Sequence, residues 1–183
     1  MGKVENELTA WAEQIKQTKL PRWEELPELE LYMDQVITLV DRYLAPLLVA
    51  KKEYLLSSAM VNNYVKHKLI PAPVKKRYNR NHLAYLIAIT LLKQVLVIPD
   101  IKELIELQLE KEAPQAVYNY FCLRQEEALA HIADLVLGRK VDVVLQTEND
   151  FRHLALDSAT WSFANQTLVE KLLEIERAGA DNE

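Results

Sequence analysis

The fold of this 183-residue chain can be predicted outward from residues 57–90, which read SSAMVNNYVKHKLIPAPVKKRYNRNHLAYLIAIT. Ser57 or Ser58 can begin a short helix, because a serine hydroxyl accepts hydrogen bonds from the free N–H groups of a first helical turn. The spacing predicts that helix over 58–67. Two prolines follow it, so 68–78 is predicted to be an extended, basic link that forms at most a short and poorly paired hairpin.

Helices are predicted on both sides of this stretch. Asn79 caps a helix over 80–96 that is apolar almost all round, and a helix of that kind is central in a fold. Pro99 begins the next helix, 99–111, at the first helical position, where proline is tolerated. Upstream, apolar residues at helical spacing predict a helix over 30–45.

The rest of the chain is predicted to be helical as well. One amphipathic helix precedes Pro21, and a long helix begins at Pro114 and ends at Gly138, a residue type that favours helix C-termini. A short extended piece, Val141–Leu145, leads to a final helix over 148–177. We therefore predict a mostly α protein in three segments, namely an N-terminal helix and loop over 1–29, a central domain over 30–111 and a C-terminal helical region over 112–183.

Charge is concentrated in the same central stretch. The chain carries a formal net charge of −5, yet residues 51–93 hold nine basic residues and one acidic residue, which gives +8. Residues 1–50 sum to −4 and residues 94–183 to −9. A basic block inside an acidic protein indicates a nucleic-acid or other anionic partner for that block. The alternative is a solvated face that pairs with the acidic flanks.

Composition excludes several classes of protein. Half of the residues are apolar and 27% are charged, as in ordinary globular domains. The single Cys122 excludes an internal disulfide framework, and the three glycines exclude a dinucleotide fingerprint and a phosphate loop, so we expect no cofactor. No stretch reaches the roughly 18 apolar residues of a membrane span, and no signal peptide is expected, so a cytoplasmic protein without a membrane partner is predicted.

The order of these elements is that of a winged helix-turn-helix. In that fold the short second helix lies in the major groove of double-stranded DNA and the wing contacts backbone phosphates. Asparagine side chains on the short helix can make two hydrogen bonds to adenine, and the basic residues fall at its end and in the link. The predicted nucleic-acid-binding residues are Ser58, Asn62, Asn63, Lys66, His67, Lys68, Lys75, Lys76, Arg77 and Arg80.

About 55 residues of this region resemble the DNA-binding half of the MerR-type regulators. The pattern of those regulators is a helix ending in tyrosine, a Leu-Ile-Pro turn, a basic wing, a capped helix and a segment reading IKELI. The matching positions are Tyr64, Leu69, Ile70, Pro71, Tyr78, Leu83 and Ile101–Ile105. The chain departs from the pattern at Asn62 and Asn63, where the regulators carry Arg-Tyr, and at Lys68, where they carry glycine. The resemblance implies a MerR-like transcriptional regulator.

A second resemblance covers more of the chain. The segments LPRWEELPELELYMDQVITLVDRYL, MVNNYVKHKLIPAP and YNRNHLAYLIAITLLKQV are similar to the bacterial domain-of-unknown-function family 1836. That family has no established activity, so this similarity supports the fold more than the function.

The predicted final helix also carries a heptad pattern. Its a positions are Phe151, Ser158, Asn165 and Leu172, and its d positions are Leu154, Trp161, Leu168 and Ile175. An asparagine at an a position fixes register in coiled coils. The pattern indicates either a homodimer seam or a long helix packed on its own domain.

Enzyme chemistry is not predicted. Asp150 with His153 and Glu127 with His131 have the spacing of paired metal ligands, but a helical-bundle metal site needs more acidic and histidine ligands than these pairs supply. His82 is predicted to lie on a helix surface, and Cys122 is predicted to be a small core residue. An aromatic set could line a ligand pocket or belong to the core; its members are Tyr118, Tyr120, Phe121, Trp161 and Phe163.

Two functions remain open from the sequence. The first is a DNA-binding regulator whose C-terminal helices dimerise or sense an unknown effector. The second is a non-enzymatic module that binds protein or RNA on a winged-helix scaffold. The feature that distinguishes the two functions is whether the basic residues form one continuous surface around the 58–67 helix.

Overall fold

The computed structural model describes residues 2–48, 55–140 and 151–180, and these form a mostly α-helical protein. A 3₁₀ helix, Trp23–Glu25, lies between the first two α-helices. The extended piece predicted at 141–145 lies outside the described residues. The seven α-helices of the described ranges are α1 (Gly2–Gln17), α2 (Met33–Leu44), α3 (Ser58–Lys66), α4 (Arg80–Leu92), α5 (Ile98–Leu109), α6 (Pro114–Val136) and α7 (Phe151–Ala180).

Local capping residues set the ends of these helices. Ser57, rather than Ser58, caps α3, and its hydroxyl accepts a hydrogen bond of 3.2 Å from the Met60 N–H. Asn79 caps α4 as predicted. After α6, Gly138 adopts a φ of 63°, and the N–H of Arg139 donates to the Asp134 carbonyl at 2.9 Å. This bond satisfies a carbonyl that the end of a helix leaves without a partner.

The core is built around α4 and α6. Nine of the thirteen residues of α4 are buried, which confirms that it is central. α6 packs most extensively against α1 on one side and α7 on the other, and α4 contacts α2, α6 and α7. One cluster of buried apolar residues runs from Ala12 in α1 to Ala164 in α7, through all three segments inferred from the sequence.

The link between α3 and α4 contains a turn but no strand. Its pairing consists of two isolated antiparallel bridges, Leu31 with Tyr78 and Val74 with Arg77. Pro71 and Pro73 lack the N–H groups that a strand ladder uses, so the pairing stays short, as predicted. Within the described residues, a paired two-stranded wing is therefore absent.

None of the described helices has both the length and the apolar content that crossing a bilayer requires.

Candidate nucleic-acid interface

Helix α3 presents its polar face to solvent because its apolar face is held in the core. Val61 and Tyr64 are buried, whereas Asn62 and Asn63 between them are exposed. Ser58, in the first turn, is exposed as well. Helical spacing in the sequence predicted this division into a buried and an exposed face. The carboxamide groups of Asn62 and Asn63 are therefore not packed in the core.

The end of α3 is formed by a lysine in an unusual backbone conformation. Lys68 has a φ of 56°, and its N–H donates to the Val65 carbonyl at 3.0 Å. The N–H of Leu69 donates to the Tyr64 carbonyl at 2.8 Å, which completes a Schellman motif. Glycine is the usual residue at this left-handed position. Lys66, His67 and Lys68 are all exposed.

Two further lysines occupy the tip of the link. Lys75 and Lys76 have φ values of 50° and 63°, and the Arg77 N–H closes the turn by donating to the Val74 carbonyl at 2.8 Å. Positive φ at both central residues is the requirement of a type I′ turn, for which asparagine and glycine are preferred. Both lysine side chains are exposed. We call Val74–Arg77 the basic turn.

The two arginines of the predicted set, Arg77 and Arg80, contact other residues of the protein at the base of the basic turn. The guanidinium of Arg77 lies 3.9 Å from the centre of the Tyr32 ring, a cation–π contact. Arg80 Nε donates to the Leu26 carbonyl at 3.0 Å, and its other end pairs with the exposed Glu28 at 3.2 Å. Arg80 therefore also ties α4 to the loop before α2.

His82 is buried, and the prediction of a helix-surface position for it was wrong. Only 4% of the residue is exposed. Its Nδ1 lies 3.1 Å from the Asn79 N–H and its ring meets Tyr78 edge-on at 5.3 Å. Burial lowers the pKa of His82, although the backbone of Pro71 and Ala72 opposes that shift. Helical spacing could not show this, because the link folds over the start of α4.

The remaining polar candidates have structural partners. Within the described ranges no cluster of three histidine, cysteine or acidic residues could hold a metal ion. His153 pairs with Glu112 at 2.8 Å and stacks on Tyr120, and the Asp150 of its proposed metal pair lies outside the described residues. His131 meets Trp161 edge-on at 4.6 Å.

Cys122 is a core residue, as predicted. It is fully buried, and burial raises the pKa of its thiol to about 12. Of the aromatic set, Tyr118, Phe121 and Phe163 are core residues, and the first two also line a small apolar cavity between α4, α5 and α6. The Tyr118 hydroxyl donates to the Pro21 carbonyl at 2.9 Å.

The proposed seam on α7 is mostly outward-facing. Phe151, Leu154, Ser158, Asn165 and Leu172 are exposed, and Trp161 and Leu168 are half-buried against the core. Ile175 is buried within the protein, so this d position is not available to a second copy.

A family model described as Domain of unknown function (DUF1836) matches residues 21–121, which is more than half of the chain. The matched range contains α2 to α5, the basic turn and the first part of α6. No curated protein and no solved structure matches the chain.

Proposed function

The chain belongs to the family described as Domain of unknown function (DUF1836), and we propose that it is a DNA-binding transcriptional regulator of the MerR-like winged-helix type, in which the basic turn takes the place of a paired wing. In this proposal α3 enters the major groove with Asn62 and Asn63 towards the bases. Lys66 and Lys68 at the end of α3, and Lys75 and Lys76 in the basic turn, contact phosphates. The function is binding rather than catalysis.

The main support for the proposal is that lysines occupy backbone positions with a left-handed conformation, where glycine or asparagine is usual. Lys68, Lys75 and Lys76 are the positive-φ residues other than glycine among those the structure describes. Such a conformation costs a non-glycine residue about 1–2 kcal/mol, and asparagine or glycine would relieve it. Three lysines at three strained positions of one segment favour a role for their charge.

The absence of local counter-charge supports the same conclusion. Lys66, Lys68, Lys75 and Lys76 form no ion pair with any described residue, in a chain whose flanking regions are acidic. The other described basic side chains without an ion pair or ring contact lie far apart along the chain; they are Arg42 of α2, Lys111 after α5, Lys140 after α6 and Arg177 of α7. An unneutralised group of lysines attracts a polyanion, and releasing the counterions of that polyanion drives binding.

The test uses the turn geometry to remove charge without adding strain. Lys75→Asn combined with Lys76→Gly installs the residue types that a type I′ turn prefers. Binding to DNA fragments flanking the gene is measured by fluorescence anisotropy across a salt series. We expect the log–log slope of affinity against salt to become shallower by about two, since each phosphate contact contributes about 0.9.

The matched control removes the same two charges elsewhere. Lys111→Asn combined with Lys140→Gly should leave both affinity and slope at the wild-type values. In the same assay Asn62→Ala should cost about 1–3 kcal/mol on the preferred fragment and relax the preference at one base pair. If the turn variant keeps the wild-type DNA affinity and the wild-type slope of affinity against salt, the lysines of the basic turn are solvent-exposed residues that do not contact DNA. A module that binds protein or RNA would then replace this proposal.

A further inference from the structure

A cleft lies beside the end of α3, on the side of α5. Its volume is about 500 Å³, within the range of sites for small molecules. Apolar side chains from three elements form its floor, including Ile70 of the link, Tyr85 of α4, and Ile105 and Leu109 of α5. The cleft therefore exists only because the link and α5 meet over α4.

The floor of the cleft shares residues with a second, smaller pocket. Tyr85, Ile105 and Leu109 also line the small cavity between α4, α5 and α6, whose volume is about 50 Å³ and whose other walls include Phe121 and Leu104. That cavity is too small for a ring, since an apolar cavity that holds benzene measures about 150 Å³.

The rim of the cleft is cationic. Lys66 and Lys68 lie on one side and Lys102 on the other, with Glu106 as the one acidic member among the lining residues. Lys102 and Glu106 are 3.8 Å apart on the surface of α5, a geometry that contributes little energy in water. Glu106 offsets one of the three positive charges, so the rim carries a net charge of +2.

We propose that this cleft binds a small amphipathic anion, namely a carboxylate with an alkyl or aryl tail. The tail lies on Tyr85 and Ile105, and the carboxylate accepts hydrogen bonds from the lysines of the rim. Charge-assisted bonds of this kind are roughly twice as strong as neutral ones. An apolar floor under a cationic edge fits this class of ligand and neither a neutral hydrocarbon nor a bare anion.

The position of the cleft gives binding a consequence, which rests on the function proposed above. Lys66 and Lys68 belong both to the rim and to the surface assigned to DNA phosphates. A carboxylate that engages them removes positive charge from the end of α3. The anion and DNA therefore compete, and the ligand acts as an inducer that releases the operator.

Octanoate is the probe for the binding step. Isothermal titration calorimetry of the full chain should show saturable one-to-one binding of octanoate. Acetate, which lacks the alkyl tail, should show no measurable binding. Octan-1-ol, which lacks the carboxylate, should bind at least about tenfold more weakly than octanoate. Lys102→Gln should weaken octanoate severalfold and Lys102→Glu more strongly. Lys111→Glu is the matched control at an exposed lysine outside the cleft and should bind like the wild type. Equal octanoate affinity in all four proteins overturns the site.

A second measurement separates this inference from the proposed function. Octanoate at saturation should lower the affinity for the preferred DNA fragment, and Lys102→Gln should shift that effect to higher octanoate concentrations without changing DNA affinity in its absence. Octanoate bound with DNA affinity unchanged overturns the competition. Octanoate bound by a protein that does not bind DNA supports the site and overturns the proposed function instead.

Discussion

Single side chains at the base of the basic turn connect the proposed interface to the core. Tyr78 is buried, and its backbone exchanges two hydrogen bonds of 2.8 Å with Leu31. His82 lies against Tyr78 and forms a capping box with Asn79. These contacts hold the start of α4, so the position of the basic turn depends on a buried histidine whose pKa is lowered by that burial.

We expect His82 to make stability sensitive to pH near neutrality. Its pKa in the folded protein lies below the value of about 6.5 in the unfolded chain. As the pH falls through about 6.5, the unfolded state takes up a proton before the folded state does, and stability decreases. The urea midpoint of the wild type should therefore fall between pH 7.5 and 5.5 more than that of His82→Gln, which retains an acceptor for the cap.

His67→Gln is the control for this comparison, because His67 is an exposed histidine of the same segment. It should retain the pH dependence of the wild type. Equal dependence in the wild type and in His82→Gln would show that the buried ring does not titrate differently from the unfolded chain.

Among the helices, α7 has two apolar faces, of which one packs on the core and the other is exposed. Leu156, Ala159 and Phe163 face the core, whereas the heptad positions point mostly outward. Phe151 is 69% exposed and Leu154 is 45% exposed. A helix with a second, exposed apolar stripe is suited to pairing with a further helix, and the stripe ends where Ile175 turns into the protein.

We predict that two copies pair through this stripe. Leu154→Glu places a charge at an exposed d position, and it should convert a dimer into a monomer in sedimentation velocity at roughly 50 µM, a concentration at which weak homodimers form. Leu154 is preferable to Leu168 for this test, because Leu168 packs against the core. Circular dichroism should remain helical.

Leu173→Glu adds the same charge to an equally exposed leucine at a b position, outside the stripe. It should leave the dimer intact. A wild-type protein that sediments as a monomer under these conditions contradicts the pairing and leaves the stripe exposed.

At the scale of the whole molecule, Glu126 joins the N-terminal part to the rest. This buried carboxylate accepts two hydrogen bonds from Arg22, at 2.6 and 2.9 Å, and one each from the Leu20 N–H and Lys19. Burial by itself raises the pKa of Glu126, but the hydrogen bonds from Arg22, Leu20 and Lys19 outweigh it and hold the pKa below its usual value. The loop after α1 is thereby fastened to α6.

Glu126→Gln should lower the free energy of unfolding by about 1.5–3 kcal/mol, the range for hydrogen bonds to charged groups, because Arg22 and Lys19 keep access to water and are not left as buried unpaired charges. The contribution of Glu126 is present above the pKa of the unfolded chain and is lost as the pH falls through the folded value. The variant should therefore lose less stability than the wild type between about pH 5 and pH 3 in urea titrations.

The neighbouring Glu127 provides the control, because its side chain is exposed and its partner among the described residues, Arg124, keeps its bond to Asp157 when Glu127 is changed. Glu127→Gln should cost about 0–1 kcal/mol and keep the acid sensitivity of the wild type. Similar losses in both variants would mean that the buried network does not fasten the N-terminal part.

The helices and most of their ends can be predicted from the amino-acid sequence. Ser57, Asn79, Pro114 and Gly138 act through hydrogen bonds and backbone restrictions within a few residues, so a linear reading recovers them. It also identified Cys122 as a core residue and the outward position of Asn62 and Asn63. Helical spacing was sufficient for the two asparagines, because α3 packs on one side, and the apolar neighbours of Cys122 along the chain indicated its burial.

Features that depend on contact between two distant segments could not be predicted in this way and follow from the packing of the helices. His82 is buried under the link, and Arg80 donates a hydrogen bond to the Leu26 carbonyl. Ile175 is buried, although most of the heptad stripe on α7 is exposed. The packing also brings Lys66 and Lys102 to the rim of one cleft. Sequence spacing describes which face a residue occupies on its own element, whereas the packing of the other elements decides what covers that face.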